Sequence, residues 1–163
     1  MTARHKLSLL KNLLRQMEKV AIAFSGGVDS TFLVRVAFEV LGENAVALTA
    51  QSPSFPVWEF NDAVRMAREI GVRHVVIETD ELREEKFRKN PPNRCYYCKK
   101  VLFEEILRFA EREDIPYVLE GSNADDTRDF RPGLRAVREL GIRSPLLEAE
   151  LGKNEIRDRK SVV

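Results

Sequence analysis

Cysteine is scarce in this chain of 163 residues: Cys95 and Cys98 are too few for a disulfide scaffold and make the cytoplasm the simple compartment. Histidine is as rare, with only His5 and His74, so a closed four-ligand zinc site around the two cysteines lacks partners. An excess of charge is missing too, 27 Lys+Arg standing against 26 Asp+Glu for a formal net of +1. No overall field draws polyanions, and nucleic acid is not an expected partner unless a local basic patch supplies one. Long apolar runs are absent: the longest uncharged stretch, Asn44 to Trp58, contains Pro53, Pro56 and several polar residues, and no membrane span is expected. Lys11 interrupts what would have to be the apolar core of a secretory signal. What is there, 44% hydrophobic and 33% charged residues, is the balance of a single globular domain with a sizeable core.

The periodicities alternate between strand and helix. Leu7, Leu10, Leu14 and Met17 mark an amphipathic helix, followed by the apolar strand Val20–Phe24. Phe32, Leu33, Val36, Ala37 and Val40 give the next helix one face, with Gly42 as its stop. A second strand is expected over Ala45–Thr49, and a helix carrying Phe60, Val64, Ala67 and Ile70 ends at Gly71. Arg73–Thr79 reads as a third strand and the charged, Pro91-Pro92-containing segment from Asp80 to Arg94 as a loop or insertion. Leu102, Ile106 and Phe109 define a helix ending near Glu113, Tyr117–Glu120 a fourth strand, and Pro132 the first turn of a further helix. Pro145–Leu147 is expected to be a fifth strand, and Trp58 and the phenylalanines to pack in the core or loops. The pattern predicts an α/β fold, a doubly wound parallel sheet. Ligands of such sheets bind beyond the carboxyl ends of the strands, so Ser25–Ser30, Thr49–Phe55 and Gly121–Arg131 are the segments to watch.

Ser25-Gly-Gly-Val-Asp-Ser30 lies between a strand and a helix. Adjacent glycines let the backbone turn tightly and approach a ligand, and the amides opening the helix favour an anion there. Ser25 and Ser30 add hydroxyl donors, while Asp29 suits an anion site only if a divalent cation bridges it to phosphates. No Lys follows the glycines, so this is not a Walker-type P-loop, nor is it a G-x-G-x-x-G turn. Gly121-Ser-Asn-Ala-Asp-Asp126, followed by Asp129-Phe-Arg-Pro-Gly-Leu-Arg135, is the second informative block; its acidic pair suits either a metal or nucleotide contact, or a helix-capping turn. The third is Asn93-Arg-Cys-Tyr-Tyr-Cys-Lys99, whose C-x-x-C fits a redox pair, half a metal site or two ordinary cysteines. Arg128, Arg131, Arg135 and Arg138 suit a phosphate-binding face or a solvated helix face equally.

The Ser25–Ser30 segment resembles the SGGxDS signature of the PP-loop ATP pyrophosphatases, and the three blocks in order resemble the LarE-type ATP-dependent sacrificial sulfur transferases. The resemblance runs from about Leu9 to Arg157 and implies the adenine nucleotide alpha hydrolase-like fold with strand order 3-2-1-4-5. It implies ATP and Mg²⁺ as cofactors, cleavage of ATP between the α and β phosphates, and adenylation of a small-molecule carboxylate substrate. In the family that substrate is a pyridinium mononucleotide, made ready for sulfur transfer in nickel-pincer cofactor biosynthesis. The nucleotide contacts carried over are Ala23 and Phe24 at the strand end and Ser25, Gly26, Gly27, Val28, Asp29 and Ser30 in the loop. Thr49 and Ala50, then Gly121, Asn123 and Asp126, complete them. Asp29 is the metal ligand, and Asp29, Lys99 and Cys98 are the catalytic candidates, Lys99 balancing phosphate charge. Family members are longer, and their C-terminal part carries the sulfur-donating cysteine or an iron–sulfur cluster. Residues 1–163 are therefore expected to form a single PP-loop domain cut short at its C-terminal end, with exposed apolar surface favouring a homo-oligomer. The rival readings are another PP-loop ligase, for tRNA thiolation or amidation, and a nucleotide-binding module without turnover.

Overall fold

The computed structural model describes residues 1–53, 55–79, 94–128 and 132–159. Four strands, β1 (Val20–Ala23), β2 (Ala45–Gln51), β3 (Arg73–Glu78) and β4 (Tyr117–Leu119), form one sheet in the order β3-β2-β1-β4, every pairing parallel. Around it lie α1 (Ala3–Met17), α2 (Val28–Leu41), α3 (Val57–Ile70), α4 (Arg94–Arg112), α5 (Pro132–Glu139), α6 (Pro145–Glu148) and α7 (Lys153–Arg159). Two short 3-10 helices, Gly42–Asn44 and Ala124–Arg128, complete the described elements. None of the described helices is long and apolar enough to cross a membrane.

Side-chain alternation along the strands divides the core in two. Val20 and Ile22 point into a cluster with Leu10, Leu14, Phe32 and Val36. Ala21 points the other way, into a cluster with Phe103, Ile106, Phe109 and Val137. Helices cover both faces, as parallel strands require. The stops are those the glycines predict: Gly42 closes α2, and Gly71, at φ +86°, closes α3 in a left-handed conformation with its amide bonded to Ala67.

Three expectations change. Pro145–Leu147 is not a strand but the start of α6, since proline has no amide to give a ladder and suits a first helical turn. The fifth sheet position is instead reached by Arg143, whose amide donates to Val118 while its carbonyl accepts from Glu120, an isolated parallel bridge beside Leu119. Trp58 is 66% exposed on the first turn of α3, because that helix buries the face of Ala63 and Ala67. Helix α4 already begins at Arg94, the last residue of the expected loop; the rest of that loop, 80–93, lies outside the described residues.

Candidate active site

A cavity of about 600 Å³ opens at the carboxyl edge of β1, β2 and β4, a size that suits a nucleotide. Its floor is the turn between β1 and α2. Gly26 adopts φ +82° and passes so close to α3 that an added Cβ would lie 3.2 Å from the Cα of Ala63. Gly27 then caps α2 without a side-chain hydrogen bond, and Thr31 N–H is the first to close a helical turn, onto Gly27 O at 2.9 Å. The amides of Val28, Asp29 and Ser30 are thus among those without a carbonyl partner inside α2, and all three residues line the cavity. Helix dipole and free donors together make this a place for phosphate. The Ser25 and Ser30 hydroxyls lie 3.4 Å apart beside it.

The segment after β4 meets the same helix end. Gly121 abuts α2 so closely that a Cβ would stand 3.1 Å from Ser30 N. Asn123, 1% exposed, donates its Nδ2 to Asp29 Oδ2 at 3.0 Å. It is itself clamped, its Oδ1 accepting from Asp125 N at 2.8 Å and its N–H donating to Asp126 Oδ2 at 2.9 Å. Asp29 is therefore held by one oxygen, while the other, Oδ1, is buried without a hydrogen-bond partner. A divalent cation fits there. Mg²⁺ is usually bound through one or two carboxylates and substrate phosphates rather than in an all-protein cage. Indeed no cluster of three or more metal-ligating side chains exists among the described residues.

The side wall comes from β2. Thr49, 1% exposed, donates its hydroxyl to Phe24 O at 2.8 Å. A hydroxyl has one proton, so the contact at 2.7 Å with His74 Nε2 needs that ring nitrogen protonated and donating. Burial holds the His74 pKa below its ordinary value by penalising the imidazolium. The ring also meets Phe24 edge-on, at 6.1 Å between centroids, bracing the end of β1 where the phosphate turn begins.

Of the residues expected from sequence, Ala23, Phe24, Ser25, Gly27, Val28, Asp29, Ser30, Thr49, Ala50, Lys99, Gly121 and Asp126 line the cavity. Gly26 lies behind the turn against α3, and Asn123 behind Asp29, so both shape the site from outside its lining. Lys99 sits on α4 with its ammonium 5.8 Å from the Phe103 ring centre. Cys95 and Cys98 fall on α4, and their side chains lie outside the described residues, as do Arg131 and Asp129. Arg135 pairs with Glu139 at 3.6 Å and Arg138 is exposed; neither lines the cavity, so these two belong to a solvated helix face.

Sequence reasoning missed Glu120, Lys153 and Arg157, all on the cavity wall. Glu120 had a local signal, a carboxylate at the end of an apolar strand: it is 6% exposed and accepts from both Ser122 N–H and Ser122 Oγ. Lys153 and Arg157 had none, because only the packing of α7 brings them to the cavity.

Comparison with known proteins agrees with this geometry. The asparagine synthase family model matches residues 9–97, more than half of the chain. The chain is 44% identical over 93% of its length to an uncharacterised protein of Synechocystis, covering 57% of that protein. It is 36% identical over 96% of its length to pyridinium-3,5-bisthiocarboxylic acid mononucleotide synthase of Lactiplantibacillus plantarum, again covering 57% of the relative. It thus spans little more than half the length of the curated relatives it matches. Among solved structures, glutamine-dependent NAD⁺ synthetase of Acinetobacter baumannii in complex with ADP superposes with a TM-score of 0.74 at 14% identity, over 99% of this chain and 33% of that one. Phosphate turn, parallel sheet and family match lead to one assignment: the chain belongs to the PP-loop ATP pyrophosphatases, the family of the asparagine synthase model.

Proposed function

We propose that the chain is the ATP-binding, adenylating part of a LarE-type sulfur transferase, a single PP-loop domain of a longer architecture. The observation that carries this reading is the clamp on Asp29: Asn123 holds Oδ2 at 3.0 Å and leaves Oδ1 unpaired beside the phosphate turn. In this reading the first-turn amides of α2 and the Ser25 and Ser30 hydroxyls hold the β and γ phosphates, while Thr49 and Ala50 flank the adenosine. Asp29 holds Mg²⁺, which when bound offsets charge on the phosphates. Lys99 adds a cation on the α4 side.

The acceptor is a small carboxylate, a pyridinium mononucleotide related to the bisthiocarboxylic acid mononucleotide for which the Lactiplantibacillus relative is named. A carboxylate is a poor electrophile at neutral pH, and adenylation changes that. Its oxygen attacks the α-phosphorus; a P–O bond forms there as the α–β bridging P–O bond breaks, and pyrophosphate leaves with the electron pair. The acyl carbon then carries AMP as a leaving group, ready for sulfur. Preorganised donors aimed at the departing phosphates lower the barrier without reorganising in the reaction.

The test is ATP turnover with Mg²⁺ and pyridinium-3,5-dicarboxylate mononucleotide, followed by phosphorus NMR. AMP and pyrophosphate from the native chain and neither from Asp29→Ala support the reading. ADP and phosphate overturn it. AMP and pyrophosphate formed only when tRNA is supplied would replace the carboxylate acceptor with a tRNA-thiolating reaction.

A further inference from the structure

Asp29 and Asp126 belong to the clamp at the phosphate turn, but Glu120, on the same cavity wall, has no part in it. It is 6% exposed, and among the described residues its side chain bonds only to Ser122, accepting the N–H on one oxygen and the hydroxyl on the other. No cation among the described residues pairs with it. Lys99 lines the same cavity, but its ammonium lies 5.8 Å from the Phe103 ring centre and makes no ion pair with Glu120. Burying a carboxylate is unfavourable unless it is paired. Two hydrogen bonds also leave about half of its acceptor capacity free. Such a group on a cavity wall calls for a cation, or for donors, from the ligand.

The surroundings choose between these. In the sheet β4 lies beside β1 on the side away from β2, so Glu120 and the wall of Thr49 and Ala50 flank the phosphate turn from opposite sides. Glu120 follows Val118 by two residues and continues its face, the one packed by Phe103 and Ile106 of α4. Leu102 and Phe103 of that helix also line the cavity. An apolar wall beside the carboxylate suits a weakly hydrated organic cation better than Mg²⁺, which gives up its waters reluctantly. The carboxylate is also set before a ligand arrives. Glu120 N–H donates to Arg143 O at 3.0 Å, Gly121 is pressed against α2, and Ser122 holds both carboxylate oxygens.

We propose that Glu120 is the residue that selects the acceptor, by reading a positive charge delocalised over a flat heteroaromatic ring, and that Ser122 is the positioning residue that aims it. Glu120 balances the charge of the ring, and Leu102 and Phe103 cover its apolar surface. The ligand class is an N-substituted pyridinium. A neutral ring of the same shape would leave the buried carboxylate unpaired, so discrimination comes from the penalty on the wrong acceptor as much as from attraction to the right one. The identity of the acceptor rests on the adenylation reading; the preference for a charged ring rests on Glu120.

The experiment is calorimetric titration of the full chain, with α,β-methylene-ATP and Mg²⁺ present so that no bond is cleaved. The two probes are pyridinium-3,5-dicarboxylate mononucleotide and its benzene C-nucleotide isostere, in which carbon replaces the charged ring nitrogen. The native chain is expected to bind the charged probe about tenfold more tightly than the neutral one. Glu120→Gln, which keeps the shape and removes the charge, should bring the two within about twofold by weakening the charged probe alone. Glu120→Asp should keep part of the preference, and Ser122→Ala should lose part of it. Equal affinity of the native chain for both probes overturns the proposal, as does a native chain that binds neither. A Glu120→Gln chain that keeps the preference overturns it too. An equal loss on both probes would assign the carboxylate to a hydroxyl they share, and lost binding of the ATP analogue would assign it to the nucleotide or its metal; either result overturns the proposal. These readings do not depend on turnover. A chain that makes ADP yet prefers the charged ring through Glu120 loses the adenylation reading and keeps this one.

Discussion

The two segments that meet at the N-terminus of α2 are built by different means. Ser25–Ser30 turns on backbone freedom: Gly26 sits at φ +82° against α3, and the helix end has no side-chain cap. Residues 121–126 turn on polar side chains, with Asn123, Asp125 and Asp126 bonded to one another and to Asp29. A turn made of backbone fails when atoms are added to it. A turn made of side chains fails when atoms are taken away. The ligand-facing donors come from the first, and the orientation of the one acidic group among them comes from the second.

Mutation can break that contrast, and the largest effect belongs to Asn123→Ala. It strips two buried side-chain hydrogen bonds and leaves both Asp29 oxygens without a partner, which should cost about 2–3 kcal/mol in urea denaturation. Asn123→Asp should bind ATP worse still, because it sets a second carboxylate against Asp29. Next comes Gly26→Ala, which combines a left-handed backbone with the Ala63 contact and should cost about 1–2 kcal/mol. Gly27→Ala is its control. With φ −70° and nothing nearer than the Ser25 hydroxyl at 3.6 Å, the poorer capping by alanine is offset by a less flexible unfolded chain, and the variant should stay within about 0.5 kcal/mol of the native chain in the same denaturation. Equal losses at both glycines would end the argument that Gly26 alone meets strain.

The brace beneath the turn carries a pH dependence. The His74 pKa is depressed by burial, so the unfolded chain binds this proton more readily than the folded one. The neutral ring's contribution is fully present above its unfolded value of 6.5 and is lost as pH falls from there through the lower folded value. Denaturation midpoints should decline between pH 7 and 5, and His74→Gln should flatten that limb. The Glu155 carboxyl, lowered chiefly by its hydrogen bond from Lys6, acts in a separate window: its contribution is present above 4.5 and is lost below it. The smallest effect is Lys6→Met, which removes a part-exposed ion pair and should cost roughly 0.5 kcal/mol, diminishing in high salt.

The expectations that held and those that failed divide by the distance over which the cause acts. The strand–glycine turn–helix unit at 20–41 was readable because its causes are neighbours in the chain: an apolar strand, two glycines and a helical stripe that ends at Gly42. The same is true of the parallel sheet, since strands alternating with helices can be wound in few ways. Trp58 misled because an aromatic carries a large apolar area wherever it stands, and only the packing of α3 on Ala63 and Ala67 turns it outward. Pro145 misled because an apolar triplet does not distinguish a short strand from a helical turn. Local order in the chain thus dictated the phosphate turn and the alternation of strands with helices, while the resemblance to a family supplied the order of the strands in the sheet. Tertiary packing alone joined Asn123 to Asp29 across 94 positions and brought Lys153 and Arg157 to the same cavity. A hydrogen bond or a shared wall between distant segments depends on how helices seat against a sheet, and that is set by the summed burial of the whole core rather than by any short stretch of it.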